Sequence, residues 1–174
     1  AEVWVTLQGS CIEHEVDVVA KDEDTLAFIE AKFHNEHSIK SSVQTPLYVH
    51  SRFNDLADNN HGRFSDDGRN VEYWLVTNTK FSDQAKHYGE CVGLQMIGWN
   101  HPEDKSLETL ITEASLQPVT ALTTLNNAHK RELTKQNVVL CKNLRNQKEK
   151  LRELGFNDEE IAEVIDEVDH LCHV

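Results

Sequence analysis

Apolar and polar positions alternate in short runs along the first hundred or so residues and recur with helical spacing beyond them. Residues 3–7 set Val3, Val5 and Leu7 on one face with Trp4 between, which predicts a strand closed by the turn Gln8-Gly9-Ser10. Residues 14–20 (His-Glu-Val-Asp-Val-Val-Ala) read as a β-branched second strand. The charged stretch 21–24 turns the chain into a third strand, 25–33, apolar except near Glu30 and Lys32. So continuous an apolar run predicts a central strand covered on both faces. A helix is expected over 38–57, with Val43, Leu47, Phe53 and Leu56 inward and Pro46 at its start or at a kink. A polar loop over 58–70, a fourth strand 71–77, a short helix 82–90 and a fifth strand 93–99 complete the order βββαβαβ.

Gln117-Pro118 marks a boundary, so the expected domains are an α/β core over 1–117 and a helical subdomain over 118–174. Helices are expected near 126–136, 142–153 and 158–171. Gly155 would end the second, and Asn157 or Asp158 would cap the third, with Glu159 and Glu160 in its first turn.

Composition narrows the class. No apolar run approaches the roughly 18 residues a membrane helix needs, and no signal-like N-terminal pattern is present. The chain opens directly in a strand-like run, which reads as a fragment of a longer protein. Cys11, Cys91, Cys141 and Cys172 form no CxxC pair and read as reduced, buried thiols of a cytoplasmic protein. The net charge of −13 argues against a broadly basic, nucleic-acid-binding surface. Its distribution is less hostile: residues 130–152 hold eight Lys/Arg against two Glu, while 153–174 hold eight Asp/Glu and no Lys/Arg. The basic segment is either a DNA-contacting appendage or an amphipathic packing helix with basic outer residues. The acidic tail could serve a partner protein.

The chemistry centres on the third strand. Glu30 and Lys32 share one face by the two-residue period. Charged groups at the end of an apolar strand are costly to desolvate. If the second and third strands pair as a hairpin through 21–24, Asp17 lies near Glu30. Two close carboxylates repel, and a divalent cation relieves that repulsion. Mg²⁺ suits such a site, since it takes one or two carboxylates, waters and phosphate oxygens. Lys32 would then steady the attacking water or the developing anion. Glu15 shares the face of Asp17 and is an auxiliary ligand or a solvent-facing residue. His14, His34 and His37 cluster in sequence near this site as metal or DNA contacts, or as polar strand-end residues. Arg52 would meet a phosphate or form an ion pair. His170, Cys172 and His173 are zinc-type donors without a fourth nearby.

The arrangement Asp17…Glu30-Ala31-Lys32 resembles the PD-(D/E)xK nuclease superfamily, with Asp17 matching its metal-binding acid and Glu30-Ala31-Lys32 its (D/E)xK element. Glu15-Val16-Asp17-Val18-Val19-Ala20 is similar to a segment of its Mrr-like and archaeal-resolvase-like branches. More narrowly, residues 9–17, Pro46-Leu47-Tyr48, Ser51-Arg52-Phe53-Asn54-Asp55 and Val139-Leu140-Cys141-Lys142 resemble a bacterial group of restriction endonucleases that follow an ATP-cone domain. Gln44 and Tyr48 are similar to a Gln-x3-Tyr element of some exonuclease branches, although Pro46 falls inside it. An acidic residue that many members carry on a helix before the first strand has no counterpart here. The resemblance implies a restriction-endonuclease-like α/β core, a central mixed β-sheet flanked by helices, with a C-terminal all-α appendage. It implies a metal-dependent DNA endonuclease using Mg²⁺ or Mn²⁺, with Asp17, Glu30 and Lys32 catalytic, and Glu15, Gln44 and Arg52 auxiliary. Implied partners are DNA, a second copy in a homodimer and an upstream ATP-cone domain. The alternative is a catalytically inactive nuclease-fold module serving nucleic-acid binding, regulation or protein interaction.

Overall fold

A computed structural model describes residues 1–35, 40–64 and 67–172. The chain divides into two compact units, Ala1–Leu107 and Glu108–Val174, so the stretch leading to Pro118 goes with the second unit rather than the first.

The first unit is a mixed α/β fold. Its strands are β1 (Glu2–Gln8), β2 (Glu13–Lys21), β3 (Thr25–Lys32), β4 (Lys40–Ser41), β5 (Asn70–Thr77), β6 (Lys80–Phe81) and β7 (Gln95–Ile97). Five form one sheet in the order β1-β2-β3-β5-β7, and β4 pairs with β6. β1-β2-β3 run antiparallel, and β3-β5-β7 parallel. β3 is central as its apolar run predicted, paired to β5 along its whole length from Thr25↔Asn70 to Lys32↔Thr77, but its second face is not covered throughout, since Ala31 and the following Phe33 are exposed. The hairpin between β2 and β3 closes because the Asp22 carboxylate accepts the Asp24 and Thr25 N–H groups at 2.9 and 2.8 Å.

Among the described residues two helices complete this unit, α1 (Gln44–Asp58) and α2 (Asp83–Val92). α1 starts later than the expected residue 38, because Lys40–Ser41 is drawn into β4; residues 36–39, which include His37, lie outside the described part. Pro46 sits in the first turn, where a missing N–H costs nothing. The buried stripe is Pro46, Val49, Phe53 and Leu56, so Val49 takes the inward place expected of Leu47, which is exposed. Phe53 stacks on Tyr73 of β5 at 4.9 Å, and Phe28 of β3 joins the same core. The Ser82 side chain caps α2 by accepting the Ala85 N–H.

Alternation on the outer strands changes phase part-way. His14 and Val16 are buried, and so is Val19, three residues on. On β1, the position opposite Asp17 is Trp4, which is exposed and has a left-handed φ of 54°. Such a φ is uncommon for a bulky residue, and it lets both strands change face together.

The second unit is helical. It holds α3 (Leu107–Glu113, which starts at the junction), a 3-10 turn (Val119–Ala121), α4 (Asn127–Lys135), α5 (Cys141–Leu144), α6 (Lys148–Glu153) and α7 (Asp158–Cys172). Its core includes Leu122, Leu133, Cys141, Leu144, Leu151, Val164 and Val168. Of the four cysteines expected to be buried, Cys141 and Cys172 are, whereas Cys11 in the β1–β2 loop and Cys91 on α2 are exposed. The helix expected over 142–153 is two pieces. At the break, Asn146 and Gln147 donate to the carbonyls three residues back, a turn rather than a continued helix. Asn157 caps α7 as expected: its Oδ1 accepts the Glu159 and Glu160 N–H groups while the Glu160 carboxylate accepts its own N–H, and Gly155 before it has φ 92°. Among the described residues no helix is long and apolar enough to cross a membrane.

Candidate active site

The end of β3 places two charged side chains beside the first turns of α1. Glu30 and Lys32 follow Leu26 and Phe28 on the face that packs against the helix. Where the apolar residues stop, a cleft of about 210 Å3 opens, lined by Glu30, Lys32, Gln44, Thr45, Tyr48 and Val49. Gln44, Tyr48 and Arg52 stand one turn apart on α1, which aligns them along this end of the sheet.

Glu30 is the electrostatic centre of the cleft. Arg52 Nη1 donates to Glu30 Oε1 at 2.7 Å, with both side chains largely buried. Arg52 Nη2 donates to the Glu15 carbonyl oxygen. Burial raises the Glu30 pKa above its usual value, and the negative charge of Asp17 adds to the rise; Arg52 and Lys32 pull it down without cancelling it. Asp17 lies on the neighbouring strand, one step beyond the last backbone pair Val18↔Ile29. Its Oδ2 accepts the Ala31 N–H at 2.7 Å, so a side chain continues the ladder where the backbone pairing stops.

Four sequence-predicted residues therefore meet in or beside one cleft: Glu30, Lys32, Gln44 and Asp17, the last through its charge. Arg52 is an ion-pair partner in this structure. Glu15 is exposed, and its contact with Arg52 is through the carbonyl oxygen rather than the carboxylate. The histidines separate: His14 bonds Asp55, and the His34 backbone is held by the Asn78 amide. The zinc-type donors at the C-terminus also part company. His170 is exposed beside Asp166, Cys172 is buried, and His173 lies outside the described residues.

Asp55 and Tyr48 carry more of the local structure than their sequence context signals. The Asp55 carboxylate accepts the N–H groups of Cys11 and Ile12 and lies 2.7 Å from His14 Nε2. Its backbone oxygen accepts the Ser10 N–H. Desolvation works against the Asp55 charge, but the hydrogen bonds from His14, Cys11 and Ile12 outweigh it and hold the pKa at about 2. The β1–β2 loop is thereby clamped onto α1 next to Arg52. Gly9 permits this approach, since a Cβ there would lie 2.1 Å from Asp55 Oδ2. Tyr48 is exposed, and the Arg52 guanidinium lies 5.5 Å from its ring centroid.

Among the described residues no group of three or more His, Cys, Asp or Glu converges as a metal cage. Two carboxylates beside an amide are a different donor set, one that suits a cation which keeps most of its water. In the second unit, acids of that unit pair much of the basic segment: Lys135 with Glu132, Arg145 with Asp169, Lys150 with Glu153 and Arg152 with Asp158.

Fold and site define a mixed α/β unit with a charged cleft at the end of its central strand, joined to a helical unit. An uncharacterized protein of Archaeoglobus fulgidus is 36% identical over 164 residues, which is 94% of this chain and 88% of that protein. The crystal structure of AF1548, a protein of unknown function, matches with a TM-score of 0.65 at 32% identity, over 99% of this chain and 89% of that one. Residues 118–172 match the family described as AF1548-like, C-terminal. The chain belongs to the AF1548-like family.

Proposed function

We propose that this protein is a metal-dependent DNA endonuclease with a restriction-endonuclease-like core. The observation that carries the reading is the state of Glu30: a carboxylate with a raised pKa, sharing a cleft with Lys32 and feeling the charge of Asp17. A cation between the two acids would offset that repulsion. Asp17 and Glu30 would hold Mg²⁺ or Mn²⁺, which lowers the pKa of a bound water and balances phosphate charge when present. Lys32 would bring its ammonium to the attacking water or the anion that forms. Gln44 would orient water or a phosphate oxygen with its amide, and Glu15 would stay at the rim. Copies of the chain would pair for double-strand cutting, and an ATP-cone domain would precede this segment. Four free cysteines suit a reducing cytoplasm.

A second reading has its own observation. Arg52 already takes the Glu30 carboxylate at 2.7 Å, and the net charge is −13. On that reading the cleft is a structural ion pair in an inactive nuclease-fold module. Titration with Mn²⁺ followed by calorimetry or paramagnetic broadening separates the two. The nuclease reading expects saturable binding that weakens as the pH falls through the raised Glu30 pKa and is lost in Glu30→Gln. Binding unaffected by Glu30→Gln supports the inactive module.

A further inference from the structure

A second cleft, of about 310 Å3, adjoins the first at Tyr48. Its walls include Ile12, His14, Tyr48, Ser51, Arg52 and Asp55. The volume is at the lower end of small-ligand sites. Ile12 and Tyr48 are both exposed, at 61% and 63%, and offer an aliphatic face and an aromatic face. The floor is polar and carries both signs, the Asp55 carboxylate and the Arg52 guanidinium. Asp55 stays ionised to a low pH, and its hydrogen bond with the neighbouring Cys11 thiol, followed by its charge, raises the pKa of that thiol. A planar ring would find apolar walls in the Ile12 and Tyr48 side chains, with Ser51 and Asp55 as polar partners at its edge. Arg52 sits against the Tyr48 ring and joins this cleft to Glu30.

We infer that this second cleft is a nucleobase subsite, in which Tyr48 stacks an unpaired base next to the phosphate held in the Glu30–Lys32 cleft. The inference rests on the nuclease reading and sharpens it, since the substrate would be single-stranded or frayed DNA at that nucleotide. A base inside a duplex cannot present its face to Tyr48 without leaving the stack.

The test is fluorescence anisotropy of a short fluorescein-labelled oligonucleotide, single-stranded or annealed, with the full chain in EDTA. Wild type is expected to bind the single strand more tightly than the duplex. Tyr48→Ala is expected to weaken single-strand binding by roughly 5- to 100-fold, as base–aromatic stacking does elsewhere. Tyr48→Phe should retain it, which assigns the effect to the ring. Duplex binding should be the same in all three proteins. Tyr48 is exposed, and a melting curve for each variant confirms that it folds. Unchanged single-strand affinity in Tyr48→Ala, an equal loss in Tyr48→Phe, or a duplex preference in wild type overturns the inference. DNA cleavage by wild type and Lys32→Ala, measured separately with Mg²⁺, keeps the two readings apart. Cleavage that needs Lys32 while Tyr48→Ala binds normally removes only the subsite. Stacking without any cleavage removes only the nuclease.

Discussion

Replacing Arg52 with Ala strips the largely buried Glu30 carboxylate of its ion-pair partner while leaving the like charge of Asp17 in place. A hydrogen bond between charged groups contributes about 1.5–3 kcal/mol. The cleft side of Glu30 meets solvent, which screens the pair and puts the loss near the lower end, about 2 kcal/mol above neutral pH. The sign with pH follows from Glu30. Its folded pKa lies above the ordinary glutamate value, so protonation is favoured in the folded state. Without Arg52 that preference grows, so the variant regains stability relative to wild type as pH falls through the raised value. Trp4, Trp74 and Trp99 all lie in the first unit, so tryptophan fluorescence during urea unfolding reports on that unit alone. With a urea slope of about 1–3 kcal/mol/M, the midpoint should drop by about 1 M at pH 8, and by much less at pH 4.5. Glu30→Gln should suppress most of the Arg52→Ala penalty in a double-mutant cycle. An equal penalty at both pH values, or an additive double variant, refutes the assigned role of the pair.

Further predictions concern the clamp and the helical unit. Gly9→Ala forces a methyl group against Asp55 and the Ile12 carbonyl, and should cost about 1–3 kcal/mol in the same urea assay. Glu167 accepts hydrogen bonds from the N–H and hydroxyl groups of Thr123 and Thr124, which overcome desolvation and lower its pKa to about 2. Because that pKa is depressed, its contribution is complete above about pH 4.5 and fades as pH falls toward 2. Glu167→Gln should therefore melt earlier than wild type at pH 7 by circular dichroism, and the two curves should converge near pH 2.

The central strand, the hairpin into it and the acidic and basic residues at its end were legible in the sequence because each has a local cause. β3 is an apolar run broken only at Glu30 and Lys32, and Asp22 supplies the turn chemistry. The capping pattern at Asn157 and the terminator at Gly155 were legible for the same reason. What escaped depends on distant partners. Asp55 looks like a polar helix residue until the β1–β2 loop folds onto it. Arg52 reads equally as a phosphate contact or an ion-pair residue, and its sequence context does not name Glu30 as the partner. The face change at Asp17 needs a left-handed Trp4 on the other strand, a conformation no residue preference announces. β4 and β6 are two residues each, too short for a period to show. The break at Asn146-Gln147 hides in a stretch whose buried Leu144 and Leu151 suit one continuous helix.

The most direct test of the central claim is cleavage of plasmid and single-stranded DNA by the full chain with Mg²⁺ or Mn²⁺, alongside Asp17→Ala, Glu30→Gln and Lys32→Ala variants shown to fold by circular dichroism. The account predicts metal-dependent products with wild type that are lost in all three variants. Equal product formation by wild type and folded variants, or no cleavage by wild type with either metal, would contradict it.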